Sequence, residues 1–216
     1  MNPVNLHGYL LIQPGVEQST FAYLPFFTRN HGKIRLFSST RCKKYSSLSL
    51  LRQPFFFFSI PGEEKNGIFY PRSISVDHSF PAIAHEWDVY RLGMFLLGFQ
   101  EELLVREDIL PSIYWAFFSL CRSFEKKAPL LVKYQLALRF CAFLVVRVGF
   151  DTRSIFEIFR SSPEFSFQDI KYLNRIIINK CCIDGLSERF VKELFMKTRN
   201  TWEQLFDCSL KSFDIL

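Results

Sequence analysis

The sequence predicts an α+β chain in which short strands come first and helices follow. Three observations predict it. Up to about residue 78 the apolar residues fall in short runs that alternate with polar ones or are cut by turn residues, the mark of strands. From Pro81 the apolar spacing changes to the three-to-four period of helices. The chain is also rich in core-forming side chains: 49% of its 216 residues are hydrophobic and 26 are Phe, which excludes disordered and low-complexity classes. A chain of this length fits one large or two small domains. The change of period divides it into residues 1–78 and 79–216.

The strands can be justified in order. Gly8 to Gln13 is a short apolar run closed by the turn signal Pro14-Gly15. Thr20 to Phe27 is an aromatic strand, and Pro25 inside it has no N–H to give to a ladder, so a bulge or an outward-facing edge is expected there. Asn30, His31 and Gly32 are turn residues and make a hairpin tip. In the return strand, Lys33 to Phe37, Lys33 and Arg35 alternate with Ile34 and Leu36. Successive strand side chains face opposite ways, so the cations are expected exposed on one face and the aliphatics buried on the other. Ser38 to Leu51 is a polar connection carrying Arg41, Lys43, Lys44 and Tyr45. Long loops of this kind are functional or mobile. Phe55 to Ile60 is a fourth strand, Pro61-Gly62 with Glu63 to Gly67 a turn, and Ile68 to Ser75 a fifth strand interrupted by Pro71. Five short strands with a long connection after the third fit a small barrel of the OB type, whose loops and one face bind single strands or oligosaccharides.

Beyond Pro81, Trp87, Tyr90, Met94 and Leu97 share one helical face. A second helix is predicted from Pro111 to Phe124 with Tyr114, Phe117, Phe118 and Cys121 inward. A third runs from Leu130 to Val148 with Leu131, Tyr134, Leu138, Cys141 and Val145 inward, and stops at Gly149. Phe167 to Lys180 follows the capping-box pattern Ser166-x-x-Asp169, and shorter helices cover Ser187 to Lys197 and Thr201 to Phe206.

Charge is distributed unevenly. Up to Arg52 the cations are Arg29, Lys33, Arg35, Arg41, Lys43, Lys44 and Arg52, and the acid is Glu17, a net +6. The whole chain is also +6, so the remainder is neutral. An excess confined to the first quarter points to a polyanionic partner. Aromatic residues near these cations could stack on bases: Tyr45 and Phe37, with Tyr9 and Tyr23 as further candidates.

Several chemistries lack their residues. There is no Walker loop, no G-x-G-x-x-G, no H-E-x-x-H and no C-x-x-C, so nucleotide hydrolysis and structural zinc have no support. The six cysteines (Cys42, Cys121, Cys141, Cys181, Cys182 and Cys208) are scattered, mostly in apolar surroundings. They are read as reduced core thiols of a cytoplasmic protein, with Cys181 and Cys182 a buried pair. The most apolar run, Leu136 to Phe150, is interrupted by Arg139 and Arg147 and is too short for a membrane span. The N-terminus has no basic n-region or long apolar h-region of a secretory signal. The residues give no catalytic site and call for no cofactor.

The pattern Phe27-Thr28-x-x-x-Gly32-Lys33-Ile34-Arg35-Leu36, then a basic loop and Gln53-Pro54-Phe55, resembles the N-terminal domain of the RecO family of bacterial recombination mediators. Leu138-Arg139-Phe140 with Gly149-Phe150, and more weakly Leu186-Ser187-Glu188-Arg189, resemble the family's helical part. The sequence departs from the family where Ser38-Ser39-Thr40-Arg41-Cys42 replaces a glycine-containing basic segment, in lacking the four-cysteine zinc site, and in its short length. The resemblance implies a non-enzymatic protein of DNA damage repair and recombination. It would bind single- and double-stranded DNA, anneal strands, and help RecA onto DNA coated by single-strand-binding protein. It implies RecR and the acidic C-terminal tail of single-strand-binding protein as partners, with Arg139 receiving that tail. The DNA-binding residues expected are Arg29, Lys33, Arg35, Arg41, Lys43, Lys44, Tyr45 and Arg52. Two other readings remain: an interaction scaffold of the same architecture without DNA binding, and a hydrolase built on a Cys–His pair.

Overall fold

The computed structural model describes residues 4–11, 21–39, 50–105, 109–178, 183 and 185–206. Among these, six strands precede seven helices. The strands are β1 (Val4–Leu10), β2 (Phe21–Thr28), β3 (Gly32–Ser39), β4 (Phe56–Lys65), β5 (Ile68–Pro71) and β6 (Ser75–Ser79). The helices are α1 (Ala82–His85), α2 (Trp87–Leu103), α3 (Pro111–Glu125), α4 (Leu130–Arg147), α5 (Thr152–Ser161), α6 (Phe167–Ile178) and α7 (Glu188–Leu205). The chain forms two compact units that divide between Glu125 and Lys126.

The first unit is built on a closed five-stranded barrel. β1 pairs antiparallel with both β2 and β4, β2 with β3, β4 with β5, and β3 runs parallel to β5. The strand circuit β1-β2-β3-β5-β4-β1 is OB-like, and closure leaves those five strands without a free edge. β6 is added outside β4. Leu6, Leu10, Leu24, Phe26, Leu36, Leu51, Phe58, Ile60 and Phe69 fill the interior, with Ile34 packed against them.

Local details correct three expectations. Pro25 sits in register opposite Arg35 with no bulge and is buried. Its carbonyl accepts from the Leu11 N–H at 2.9 Å, so its backbone polar side faces away from β3 and the missing N–H costs that ladder nothing. Pro61-Gly62 is not a turn: β4 runs through it to Lys65. Gly62 is there for close approach, since a Cβ would lie 2.4 Å from the Tyr70 carbonyl oxygen and 2.6 Å from the Phe69 ring. The reversal comes at Asn66-Gly67, both at positive φ (54° and 73°), the two-residue hairpin this pair favours. The fifth strand stops at Pro71, and Ser75–Ser79 returns as a separate strand on β4.

α2 and α3 belong to the barrel's unit because they cover part of its outer face. Tyr9, Phe27 and Phe57 point outward from β1, β2 and β4 and are buried. The Tyr9 ring lies 4.8 Å from Phe117, and the Phe57 ring lies 5.5 Å from Tyr114 and 5.1 Å from Phe118. Tyr9 donates its hydroxyl to Gln100 Oε1 at 2.5 Å. The apolar face expected for α2 is corrected in part. Leu97 is buried as expected, but Trp87 is 54% exposed and Tyr90 and Met94 are half-buried, while Val89, Leu92, Phe95, Leu96 and Phe99 are also buried. From Leu92 onward α2 is covered on more than one side, which blurs the periodic signal. α3 matches its expected face at Tyr114, Phe117 and Cys121, with Phe118 half-buried.

In the second unit α4 packs with α5, α6 and α7. Its predicted inward residues Tyr134, Leu138, Cys141 and Val145 are buried, and Leu131 is half-buried. The helix ends at Gly149, whose φ of 115° favours glycine. α5 was not anticipated, although Asp151 caps it by accepting from the Ser154 N–H at 2.9 Å, and Ile155, Phe156 and Phe159 form its buried stripe. α7 is one helix where two were expected. The hydroxyls of Thr198 and Thr201 donate back to the Leu194 and Lys197 carbonyls, and buried Trp202 holds the second half to the core. The Cys181–Cys182 pair lies outside the described residues.

The capping box of α6 forms as predicted. The Ser166 N–H donates to Asp169 Oδ2 at 3.0 Å, and the Asp169 N–H to Ser166 Oγ at 3.1 Å. Burial pushes the Asp169 carboxyl up, but the Lys197 ammonium at 2.8 Å and the Ser166 donors outweigh it and hold the group below the usual carboxylate range. A depressed folded value means that the contribution to stability is complete above the unfolded value, about 3.9, and is lost as pH falls through the folded one. Asp169→Asn should therefore flatten the acid limb of a stability–pH curve below about pH 4. An acid limb unchanged from wild type would show that Asp169 does not contribute.

Candidate nucleic-acid interface

The hairpin tip is set by Thr28. Its buried hydroxyl donates to the Gly32 carbonyl at 2.9 Å and accepts from the His31 N–H at 3.0 Å, while Gly32 takes a φ of 66°. Arg29, at the start of the tip, is half-buried. Its guanidinium lies 5.8 Å from the ring centroid of Trp115 on α3, a cation–π contact, and its Nε donates to Asn30 Oδ1 at 3.3 Å. Trp115 is 49% exposed. Burial, with Asp77's charge adding and Arg29's opposing, pushes the neighbouring Tyr114 up to about 12.

Lys33 corrects the expected row of exposed cations. Its side chain is 19% exposed, and its ammonium meets the Glu101 carboxylate at 3.1 Å. It also donates to the carbonyls of Glu101 at 2.5 Å and Leu104 at 3.1 Å. These are carbonyls of the last turn of α2 and just beyond it, where a helix lacks internal donors and the dipole favours a cation. The alternation was right in direction, but the outer face at Lys33 is covered by a helix. Arg35, two residues on, remains exposed and forms no ion pair among the described residues. Arg52 is also exposed. Arg41, Lys43, Lys44 and Tyr45 lie outside the described residues.

The part of the barrel's outer face that α2 and α3 leave to β2, β3 and β5 carries aromatic rings. Tyr23 on β2, opposite Phe37 on β3, is 48% exposed, and their ring centroids are 6.0 Å apart. Tyr70 on β5 is 5.2 Å from Phe37, and both rings are half-buried. Arg35 shares the outward side of β3 with Phe37. Glu63 lies opposite Tyr70 on β4, and its carboxylate takes Lys65 at 3.3 Å and Arg72 at 3.9 Å. Of the stacking candidates, Tyr23 and Phe37 lie on this face, whereas Tyr9 is buried under α3. Tyr70 was missed. Its outward position follows from alternation within Ile68-Phe69-Tyr70, but its place beside Phe37 depends on the parallel β3–β5 pairing, which a local sequence pattern does not specify.

In the second unit, Arg139 is half-buried and its Nε donates to the Ile176 carbonyl at 2.5 Å, tying α4 to the last turn of α6. The thiols of Cys121 and Cys141 are buried, and burial pushes both well above their ordinary range, away from the thiolate a nucleophile needs. His7 pairs with Asp77 at 2.9 Å, and the His78 ring packs on Phe118. Among the described residues no group of three His, Cys, Asp or Glu could hold a metal, and no helix is long and apolar enough to cross a membrane.

The first unit thus has the architecture of an OB-like barrel protein, with Tyr23 and Arg35 exposed and Phe37 and Tyr70 half-buried on the outer side of β2, β3 and β5. No known protein family matches the sequence, and no curated protein is similar to it.

Proposed function

We propose that this chain is a non-catalytic DNA-binding protein that acts as a recombination mediator of the RecO kind in DNA repair. The observation that supports it is the exposed Arg35 on the outer face of an OB-like barrel, within the 52 residues that hold the chain's whole cationic excess. Annealing and mediator work need charge neutralisation and sequence-tolerant contacts, with no reacting side chain. Arg35 and Arg52 meet phosphates, with Arg41, Lys43 and Lys44 contributing from the connection between β3 and β4. Lys33, held by Glu101 and the end of α2, supports the fold of this face instead of meeting phosphate. RecR, RecA and the acidic tail of single-strand-binding protein, the last beside Arg139, are the partners that the resemblance brings to this proposal, and the cytoplasm is the compartment.

A salt titration of binding to a single-stranded oligonucleotide tests it. With these five cations as phosphate contacts at ~0.7 each, log K should fall against log salt with a slope near −3.5. Arg35→Ala should flatten that slope by about 0.7 and weaken all sequences alike, because phosphate contacts carry no base information. Binding that is absent, or independent of salt, would instead favour a protein-interaction scaffold.

A further inference from the structure

We infer, resting on that reading, that Tyr23, Phe37 and Tyr70 form a base-stacking row that makes the protein prefer single strands to duplex. The three rings lie on adjacent strands of the closed barrel, with centroid spacings of 6.0 and 5.2 Å. Their positions are fixed by the β2–β3 register and the parallel β3–β5 pairing. Elsewhere the barrel's outward aromatics, Tyr9, Phe27 and Phe57, are sealed under helices, and this row is left partly open to solvent.

The choice of occupant rests on charge complementarity. An apolar protein segment would satisfy the rings alone, but Arg35 stands beside them on β3 without an ion pair among the described residues. Glu63, opposite Tyr70 on β4, is matched by Lys65 and Arg72. Aromatic faces beside such a cation suit a chain that alternates π-faces with phosphates. Duplex bases are stacked on one another and present only edges and backbone, so the rings can grip only unpaired bases.

The test uses Tyr23→Leu, Phe37→Leu and Tyr70→Leu in the full chain, which keep apolar bulk and remove the ring. Affinity is measured for an oligothymidine and for a duplex of equal length across a salt series, with a thermal melt as the folding control. Folded variants should lose about fivefold or more on the single strand per ring, keep duplex affinity, and keep the wild-type salt slope, since no charge is removed. The inference is overturned if all three variants that melt like wild type bind the single strand as wild type does, or lose single-strand and duplex affinity equally. Should one variant fail to fold, the other two decide. A wild-type protein that binds neither nucleic acid sinks the functional proposal and this inference together. Salt-dependent wild-type binding with indifferent leucine variants sinks the inference alone.

Discussion

Replacing Lys33 by methionine should destabilise the barrel's unit by about 3 kcal/mol, a typical cost of breaking a largely buried charge pair. Methionine keeps most of the stem's packing and deletes the ammonium. That ammonium is shared by the Glu101 carboxylate, itself only 9% exposed, and by two carbonyls at the end of α2. Arg35→Ala, two residues away on the same side of β3, removes an exposed cation and should leave the melting temperature nearly unchanged. The two substitutions therefore separate stability from binding. Chemical unfolding should respond to Lys33→Met, and the salt slope of DNA binding to Arg35→Ala. If Lys33→Met instead leaves unfolding unaffected and flattens the slope, its ammonium serves phosphates and the clasp on α2 is not formed in solution.

Phe57→Ala should cost more, about 3–5 kcal/mol, the range for removing a buried phenylalanine. The ring projects from β4 to the outside of the barrel, where Tyr9, Phe80, Tyr114, Phe117 and Phe118 surround it within 6.2 Å. Its removal leaves a cavity between strands and helices, and rings held by one another collapse poorly into such a space. Phe56, the next residue, points to the other side and is half-buried. Phe56→Ala should cost clearly less, and equal losses measured by urea unfolding would mean that the strand's two faces have been assigned in the wrong register.

Much of this could be read in the chain because it depends on neighbours in sequence. The period-2 alternation of Lys33 to Leu36 put Arg35 outside and Leu36 inside. The Ser166-x-x-Asp169 pattern placed a helix start, since both partners of a capping box lie within one turn. Proline and glycine pairs were less informative. Pro61-Gly62 has the composition of a turn, yet Gly62 is needed where Phe69 and Tyr70 approach too closely for a side chain.

The sequence by itself determined that short strands come first, that helices follow, and that the cationic excess lies in the strand-forming part of the chain. These follow from local patterning and covalent order, which no tertiary contact can alter. Tertiary structure alone decided what covers each face of the barrel. It turned Lys33 from an outward cation into the clasp of a helix 68 residues further along the chain, buried Tyr9 beneath α3, and set Tyr70 beside Phe37 through a parallel strand pairing. Alternation fixes which way a side chain points, but whether it meets water, a helix or another ring depends on segments far away in sequence.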